Sequence, residues 1–152
     1  MTVQYFPVWV LLVVLPLSYY FGFTPILLSI IYFIASIVSY YLYAKDKKAA
    51  RNESWRVSEG TLYLSSILFG WPGAIIARHR LRHKTKKIKF RIYFWLTFLI
   101  NVSFLVWVHM PNTSIKIRAG SEAFDNWVMT QFEENNITMT VLKITKIRKS
   151  YF

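Results

Sequence analysis

Residues 60–77 read GTLYLSSILFGWPGAIIA, an apolar segment of 18 residues with Gly70, Trp71, Pro72 and Gly73 at its middle. A helix of this length is just long enough to cross a membrane. The two glycines and the proline weaken a helix at this point, and the proline also disfavours helical geometry at Trp71. The segment therefore either crosses the membrane with a break or turns back inside it.

The segments on either side of residues 60–77 are both strongly basic. Residues 45–58 hold five Lys or Arg, and residues 78–91 hold eight with no acid. Basic loops favour the cytoplasmic side of a membrane, so a complete crossing would place one of these loops outside. We therefore predict a re-entrant hairpin over residues 59–77, which enters and leaves from the cytoplasm. A complete crossing, giving four transmembrane helices, is the alternative.

Three further apolar segments have the composition of membrane spans. No Asp, Glu, Lys or Arg precedes Lys45, and a surface that meets water does not lack charge over so long a stretch. The predicted spans are residues 3–21, 25–44 and 92–108. The first two are joined by a turn in which Gly22 can take the left-handed conformation. Residues 1–110 are thus predicted to form the multi-pass membrane domain of a bacterial inner (cytoplasmic) membrane protein, with the amino terminus inside.

Residues 111–152 follow the last span and are predicted to form an extracytoplasmic tail. Residues 114–118 alternate like a strand, Ser121 can cap a helix, and residues 138–148 are rich in β-branched residues. The predicted fold class is therefore an all-α membrane protein with three transmembrane helices, a re-entrant hairpin and a small α/β-like tail. A tail helix resting on the outer leaflet is the alternative.

The formal net charge of +12 is concentrated in one region. Residues 45–91 carry 13 Lys or Arg against three acids, whereas the chain after residue 91 carries six against four. Near a membrane each Lys or Arg contributes about 1 kcal/mol to the attraction for acidic lipids. We predict a cytoplasmic anion-binding site, the basic mouth, whose arginines Asp46 and Glu59 orient. The residues of the basic mouth are Arg56, Arg78, Arg82, His83, Lys84 and Lys87.

Other chemistry has weaker support in the sequence. His79 and His83 have the spacing of a metal pair on a helix, but the arginines around them oppose a divalent cation, so neither a metal nor a cofactor is predicted. The chain has no cysteine, which excludes thiol chemistry. Nucleic acid is not expected as a partner, because the basic run that begins at Arg78 has no interleaved aromatic residue before Phe90. Residues 70–73 are predicted to be the hairpin tip and to act as a bend, because no charged residue lies between Glu59 and Arg78.

An ordered set of residues in the middle of the chain resembles a known family. The set consists of Asp46-Lys47, Ala50, Arg56, Glu59, Leu62, Gly70-Trp71-Pro72-Gly73-Ala74, Arg82-His83-Lys84-Thr85, Lys87 and Phe90. It resembles the bacterial membrane family catalogued as domain of unknown function 1294, over about residues 43–102. This sequence has Phe69 where a second glycine is common in that family, and Val57-Ser58 where Ile-Pro is usual. The resemblance implies a small membrane protein whose hairpin is the functional unit, and it implies no reaction.

The function predicted from these features is a binding or accessory one. The basic mouth is expected to engage anionic lipid headgroups or an acidic partner, which can be another membrane protein. One alternative is a membrane-embedded enzyme acting on a lipid or isoprenoid substrate, with His83 and either Glu59 or Asp46 as acid and base. A further alternative is a subunit of a larger membrane complex. No catalytic residue is assigned.

Overall fold

The structure is a computed structural model that describes residues 3–81 and 88–148. Over those ranges every regular element is helical and no strand occurs, which confirms the predicted helical class. A 3-10 turn at Val3–Tyr5 precedes the first helix, and a π-type turn at Ser66–Gly70 separates the third helix from the fourth. The helices are α1 (Phe6–Tyr20), α2 (Ile26–Arg51), α3 (Glu59–Ser65), α4 (Trp71–Arg80), α5 (Ile88–His109), α6 (Pro111–Gln131) and α7 (Asn136–Thr145).

Three helical runs in the described ranges are long and apolar enough to cross a membrane. They are Ile26–Arg51, Glu59–Arg80 and Ile88–His109. The first and third contain two of the predicted spans, and the second joins α3 to α4 through the π-type turn. Helix α1 has 15 residues, or about 22 Å at ~1.5 Å per residue, and is shorter than the predicted span over residues 3–21. Length and composition thus agree with a membrane protein.

One compact unit combines the start of the chain, up to Leu11, with Ile31–Ser103. It contains α3, α4 and most of α2 and α5, so it holds every described residue of the basic mouth and residues 59–77. Its apolar core includes fully buried side chains from four helices, namely Tyr43, Leu62, Ala74 and Phe90. The start of α3 is fixed by Ser58, whose hydroxyl accepts a hydrogen bond from the backbone N–H of Thr61 at 3.1 Å.

The second compact unit combines Leu12–Ile30 with the chain from Phe104 onward. Gly22 ends the first helical segment with φ 73°, as the sequence predicts for the turn between α1 and α2. The carbonyl oxygen of Gly22 accepts a hydrogen bond from the Arg118 guanidinium at 2.9 Å, and the Arg148 guanidinium lies over the Tyr20 ring at 4.8 Å. Arginines of the tail therefore bind the turn between α1 and α2.

The predicted α/β-like tail is wrong, because its described residues are helical. Residues 114–118, predicted as a strand, lie inside α6, which begins with Pro111 preset for the first helical turn. Ser121 does not cap a helix; it lies within α6 and its hydroxyl donates to the Thr145 carbonyl oxygen at 3.1 Å. The alternation over five residues was too short to outweigh a helix of 21 residues.

The second predicted strand, over residues 138–148, is also mostly helix. The Asn135 side chain caps α7 by accepting hydrogen bonds from the N–H groups of Ile137 and Thr138, both at 2.9 Å. The threonine hydroxyls then bond back to carbonyls one turn earlier, as Thr140 does to Asn136 at 2.7 Å. Threonines that bond back to the helix in this way are compatible with an asparagine-capped helix. The number of β-branched residues in the sequence did not reveal this.

Candidate functional site

The bend between α3 and α4 occurs just before the predicted tip residues. Leu68 has ψ 49° and Phe69 has φ 66°, so neither is in helical conformation. A positive φ favours glycine, since a side chain at that position crowds the backbone. Phe69 takes this conformation while its ring packs against the Tyr32 ring at 5.0 Å. The break therefore lies one residue before Gly70.

Two glycines of the predicted tip let α4 pack directly on α2. A Cβ added to Gly73 would overlap the backbone carbonyl oxygen of Ser36. A Cβ added to Gly70 would lie 2.8 Å from both the Ala35 carbonyl oxygen and the Ser39 Cβ. Small residues at helix interfaces allow backbones this close approach. Gly70 and Gly73 are thus required by the close packing on α2.

The polar groups freed by the bend find partners within the protein. The hydroxyls of Ser65 and Ser66 each donate to the Leu62 carbonyl oxygen at 2.9 Å. The side-chain amide of Asn101 on α5 lies 3.3 Å from the Ser66 carbonyl oxygen and 3.1 Å from that of Ile67. Asn101 itself is 2% exposed. This arrangement fits a structural bend better than an ion-binding tip.

The other two tip residues belong to the first turn of α4. Trp71 is buried, and its ring meets the Phe98 ring of α5 edge-on at 4.9 Å. Pro72 lies in the first turn of the helix, where its missing N–H removes no helical hydrogen bond. The tryptophan and the proline therefore start α4 and fix it against α5.

Arg56 of the basic mouth and the supporting carboxylate Asp46 form a bidentate ion pair. Arg56 donates from Nε to Oδ1 at 3.2 Å and from Nη2 to Oδ2 at 3.3 Å. The carboxylate is fully buried, whereas half of the arginine side chain is exposed. These hydrogen bonds raise the pKa of Arg56 above its ordinary value. Asp46 thus binds Arg56 through both of its carboxylate oxygens.

Arg78, near the end of α4, occupies a different environment. Arg78 is only 6% exposed. Its guanidinium carbon lies 4.3 Å from the centre of the Phe94 ring and 5.7 Å from the centre of the Phe90 ring. Its Nε has no hydrogen-bond partner in the described part of the chain. Arg78 is therefore a buried cation between two aromatic rings of α5.

The remaining residues of the basic mouth are only partly described. Glu59 is the first residue of α3 and lies close enough to Arg56 to interact with it electrostatically. The predicted residues Arg82, His83, Lys84 and Lys87 all lie outside the described residues. No group of three or more potential metal ligands occurs among the residues that the structure describes. The structure thus brings Asp46 to Arg56 and sets Arg78 apart.

A second polar cluster, in the other compact unit, was not predicted from the sequence. The Nε2 atom of His109 lies 2.8 Å from the Ser18 hydroxyl, which is 2.7 Å from the Thr24 hydroxyl. Nδ1 of the same imidazole lies 2.7 Å from the Leu105 carbonyl oxygen, so Nδ1 donates and Nε2 accepts from Ser18. Ser18 and Thr24 are both buried. The cluster satisfies polar groups at the turn between α1 and α2.

Asn101, Phe90 and Phe94 are the residues of the candidate site that the sequence did not assign. The only local signal was a polar amide inside an apolar helix, since intramembrane polar groups are costly unless they have a partner. Phe90 and Phe94 are four residues apart, which places them on one face of α5. The sequence could not show that this face would meet Arg78.

Comparison with known proteins confirms the predicted resemblance. The model of a family described as "Protein of unknown function (DUF1294)" matches residues 36–90. The "Uncharacterized protein YsdA" of Bacillus subtilis (strain 168) is 34% identical over 56 residues, which are 37% of this chain and 63% of that protein. The chain thus covers less than two thirds of this relative. No solved structure matches the chain.

Proposed function

We propose that this chain is a small inner-membrane binding or accessory protein whose basic mouth engages anionic lipid headgroups on the cytoplasmic side. The observation that carries the proposal is the distribution of charge. Residues 45–91 hold 13 Lys or Arg and three acids, and one of these acids, Asp46, already binds Arg56. The positive charge of this region is therefore far from neutralised by the acids within it.

The proposal includes a re-entrant path for residues 59–77, in which both basic segments face the cytoplasm. Contacts along α2 support this path. The Ser65 hydroxyl lies 3.2 Å from that of Ser39, and Gly73, eight residues later, packs on Ser36, less than one turn away on the same helix. Eight residues of continuous helix would cover about 12 Å. The chain therefore gains little depth between these two residues.

The return of α4 toward its starting level is supported by its far end. Arg78 packs against Phe90, at the start of α5, and the Phe90 ring lies 6.1 Å from the ring of Tyr43, near the cytoplasmic end of α2 in this proposal. Asp46, one turn beyond Tyr43, holds Arg56 just before α3 begins. Residues near both ends of the hairpin are thus neighbours of the same part of α2.

The amino terminus is placed inside by the same proposal. The Tyr5 ring meets the His79 ring edge-on at 5.8 Å, close to the end of α4. If the end of α4 is cytoplasmic, the start of α1 is as well. The tail then lies outside, since α5 leads away from the basic segment.

Binding is better supported than catalysis by the geometry of Asp46. A carboxylate that accepts two hydrogen bonds from a guanidinium is a poor base, because the cation stabilises its charged form. Asp46 is in that situation with Arg56. The carboxylate is therefore better suited to positioning an arginine than to moving a proton.

The proposal is tested by removing two charges of the basic mouth outside the described helices. The double variant Arg82→Gln/Lys84→Gln, held in amphipol, is floated with phosphatidylcholine vesicles with and without phosphatidylglycerol. At about 1 kcal/mol for each charge, we expect binding to the anionic vesicles to weaken on the order of 30-fold. Binding of the wild type should also weaken as salt is raised.

The matched control removes two charges from the tail. The double variant Lys116→Gln/Lys143→Gln loses the same charge and should bind the anionic vesicles almost as tightly as the wild type. Equal binding by both double variants, unaffected by salt, would contradict the proposal.

A further inference from the structure

Arg78 differs from Arg56 in having no carboxylate partner. Among the described residues, Asp46 forms its ion pair with Arg56 and not with Arg78. No acid is among the groups that change the electrostatic environment of Arg78. The rings of Phe90 and Phe94 attract a guanidinium, but this attraction is much weaker than the cost of burying an unpaired charge. The environment of Arg78 is therefore complementary to an anion that the chain does not itself supply.

We propose that Arg78 binds one phosphate group, carried by a membrane lipid or free in solution. The inference rests on the proposed function and assigns its specific ligand contact to one residue. A guanidinium binds phosphate best through two parallel hydrogen bonds from one edge, and Nε forms part of that edge. The Nε atom of Arg78 is buried and has no partner among the described residues, so this edge of the guanidinium is not used within the described part of the chain.

The neighbours of Arg78 suit a phosphate rather than a cation or an apolar group. The rings of Tyr43 on α2 and Tyr63 on α3 lie 6.1 Å and 4.8 Å from the Phe90 ring, against which the Arg78 guanidinium packs. Arg91 on α5 adds a second positive charge close enough to influence Arg78. Aromatic rings and a second cation thus surround the end of α4, and this combination favours a negative ligand over a cation.

Because Arg78 is buried, it can bind one phosphate group specifically, whereas the exposed cations attract any anionic surface. An exposed lysine or arginine contributes to a diffuse attraction that salt screens. A buried guanidinium held between two rings has one orientation and is screened much less. Arg78 should therefore retain a phosphate at salt concentrations that release the protein from anionic vesicles.

The test measures bound phospholipid and inorganic phosphate on the full chain. The protein is purified in detergent, and the phospholipid retained after washing in high salt is counted by native mass spectrometry. Binding of inorganic phosphate to delipidated protein is measured by isothermal titration. The variants are Arg78→Gln, Arg78→Lys and the control Arg80→Gln, which removes an exposed charge from the same helix.

We expect the wild type and Arg80→Gln to retain phosphate and Arg78→Gln to bind it on the order of 10- to 100-fold more weakly. Arg78→Lys keeps the positive charge but lacks the forked geometry of a guanidinium. If this variant folds but binds phosphate more weakly, the loss of binding comes from the site and not from unfolding. Retained phospholipid identifies a lipid source, and tight binding of inorganic phosphate alone identifies a free one. Either result supports the proposal.

Equal retention of phosphate by Arg78→Gln and Arg80→Gln would overturn the proposal, as would a wild type that binds phosphate from neither source. This failure is distinguishable from that of the proposed function. If only the Arg78 site is wrong, Arg82→Gln/Lys84→Gln still loses vesicle binding. If the proposed function is wrong, that double variant binds vesicles like its control.

Discussion

Backbone carbonyls at the bend before α4 and the arginine near the end of α4 differ in whether the chain supplies them with a partner. At the bend, the carbonyl oxygens of Ser66 and Ile67 lie within hydrogen-bond distance of the Asn101 amide. At the end of α4, Nε of Arg78 has no partner among the described residues. A buried polar group without a partner is costly in a region that exists only to hold the fold together. The backbone groups of the bend are thus satisfied within the protein, whereas Nε of Arg78 at the end of α4 is left without a partner among the described residues.

The largest effect is expected from Gly73→Ala at the bend. The new Cβ overlaps the backbone carbonyl of Ser36, which cannot move aside as a flexible side chain can. We expect a loss on the order of 3 kcal/mol in unfolding free energy, the upper part of the range for overpacking. Unfolding in detergent by a denaturant titration measures it.

Gly120→Ala is the matched control for this substitution. Gly120 lies inside α6, and a Cβ there meets nothing within 4 Å. The change should be neutral or stabilise by roughly 0.5–1 kcal/mol, since alanine favours a helix. Similar stabilities of the two variants would contradict the close packing of α4 on α2.

Asn101→Leu should have the next largest effect. The substitution preserves an apolar helix but leaves the Ser66 and Ile67 carbonyls without their donor, at a cost of about 2 kcal/mol. Thr97→Val is the control, because the Thr97 hydroxyl donates to the Phe94 carbonyl oxygen of its own helix at 2.7 Å and the substitution leaves the bend untouched. Thermal unfolding followed by circular dichroism compares them. If Asn101→Leu were as stable as Thr97→Val, the Asn101 amide would not stabilise the bend, which would contradict the account.

Substitutions of Phe69 test the left-handed conformation of the bend. Phe69→Val places a β-branched residue at φ 66°, whereas Phe69→Gly relieves the backbone strain. Both lose the ring contact with Tyr32, so this loss cancels in the comparison. We expect the valine variant to be less stable than the glycine variant by about 1–2 kcal/mol in the same titration. A valine variant that is equally stable would show that residue 69 does not take this conformation.

The smallest effect on stability is expected at the other end, from Asp46→Asn. Arg56 is half exposed, so water can solvate it once the carboxylate charge is gone. The variant should be slightly less stable than the wild type at low salt, and the difference should shrink as sodium chloride is raised. Glu53→Gln, at an exposed acid, is the control. A large loss that salt does not change would mean that the pair is part of the core.

The parts of this arrangement that local patterns encode were predictable from the sequence. Gly70 and Gly73 around a proline indicated the bend, and an acid among cations indicated an ion pair. Contacts between distant residues were not predictable, because no pattern links Asn101 to Ser66, 35 residues away. Phe69 was read only as a departure from a family pattern, yet it takes the conformation that glycine favours. The tail was predicted wrongly, since β-branched threonines can support a capped helix as well as a strand.

The central claim is that the two basic segments around the hairpin face the same compartment. Because the chain has no cysteine, Asn52→Cys and Thr85→Cys each provide a single site for a membrane-impermeant maleimide. We predict that both are labelled in inside-out membrane vesicles and that both are protected in intact cells. Labelling of residue 52 in intact cells, with residue 85 still protected, would contradict the account, because no common basic mouth could then form.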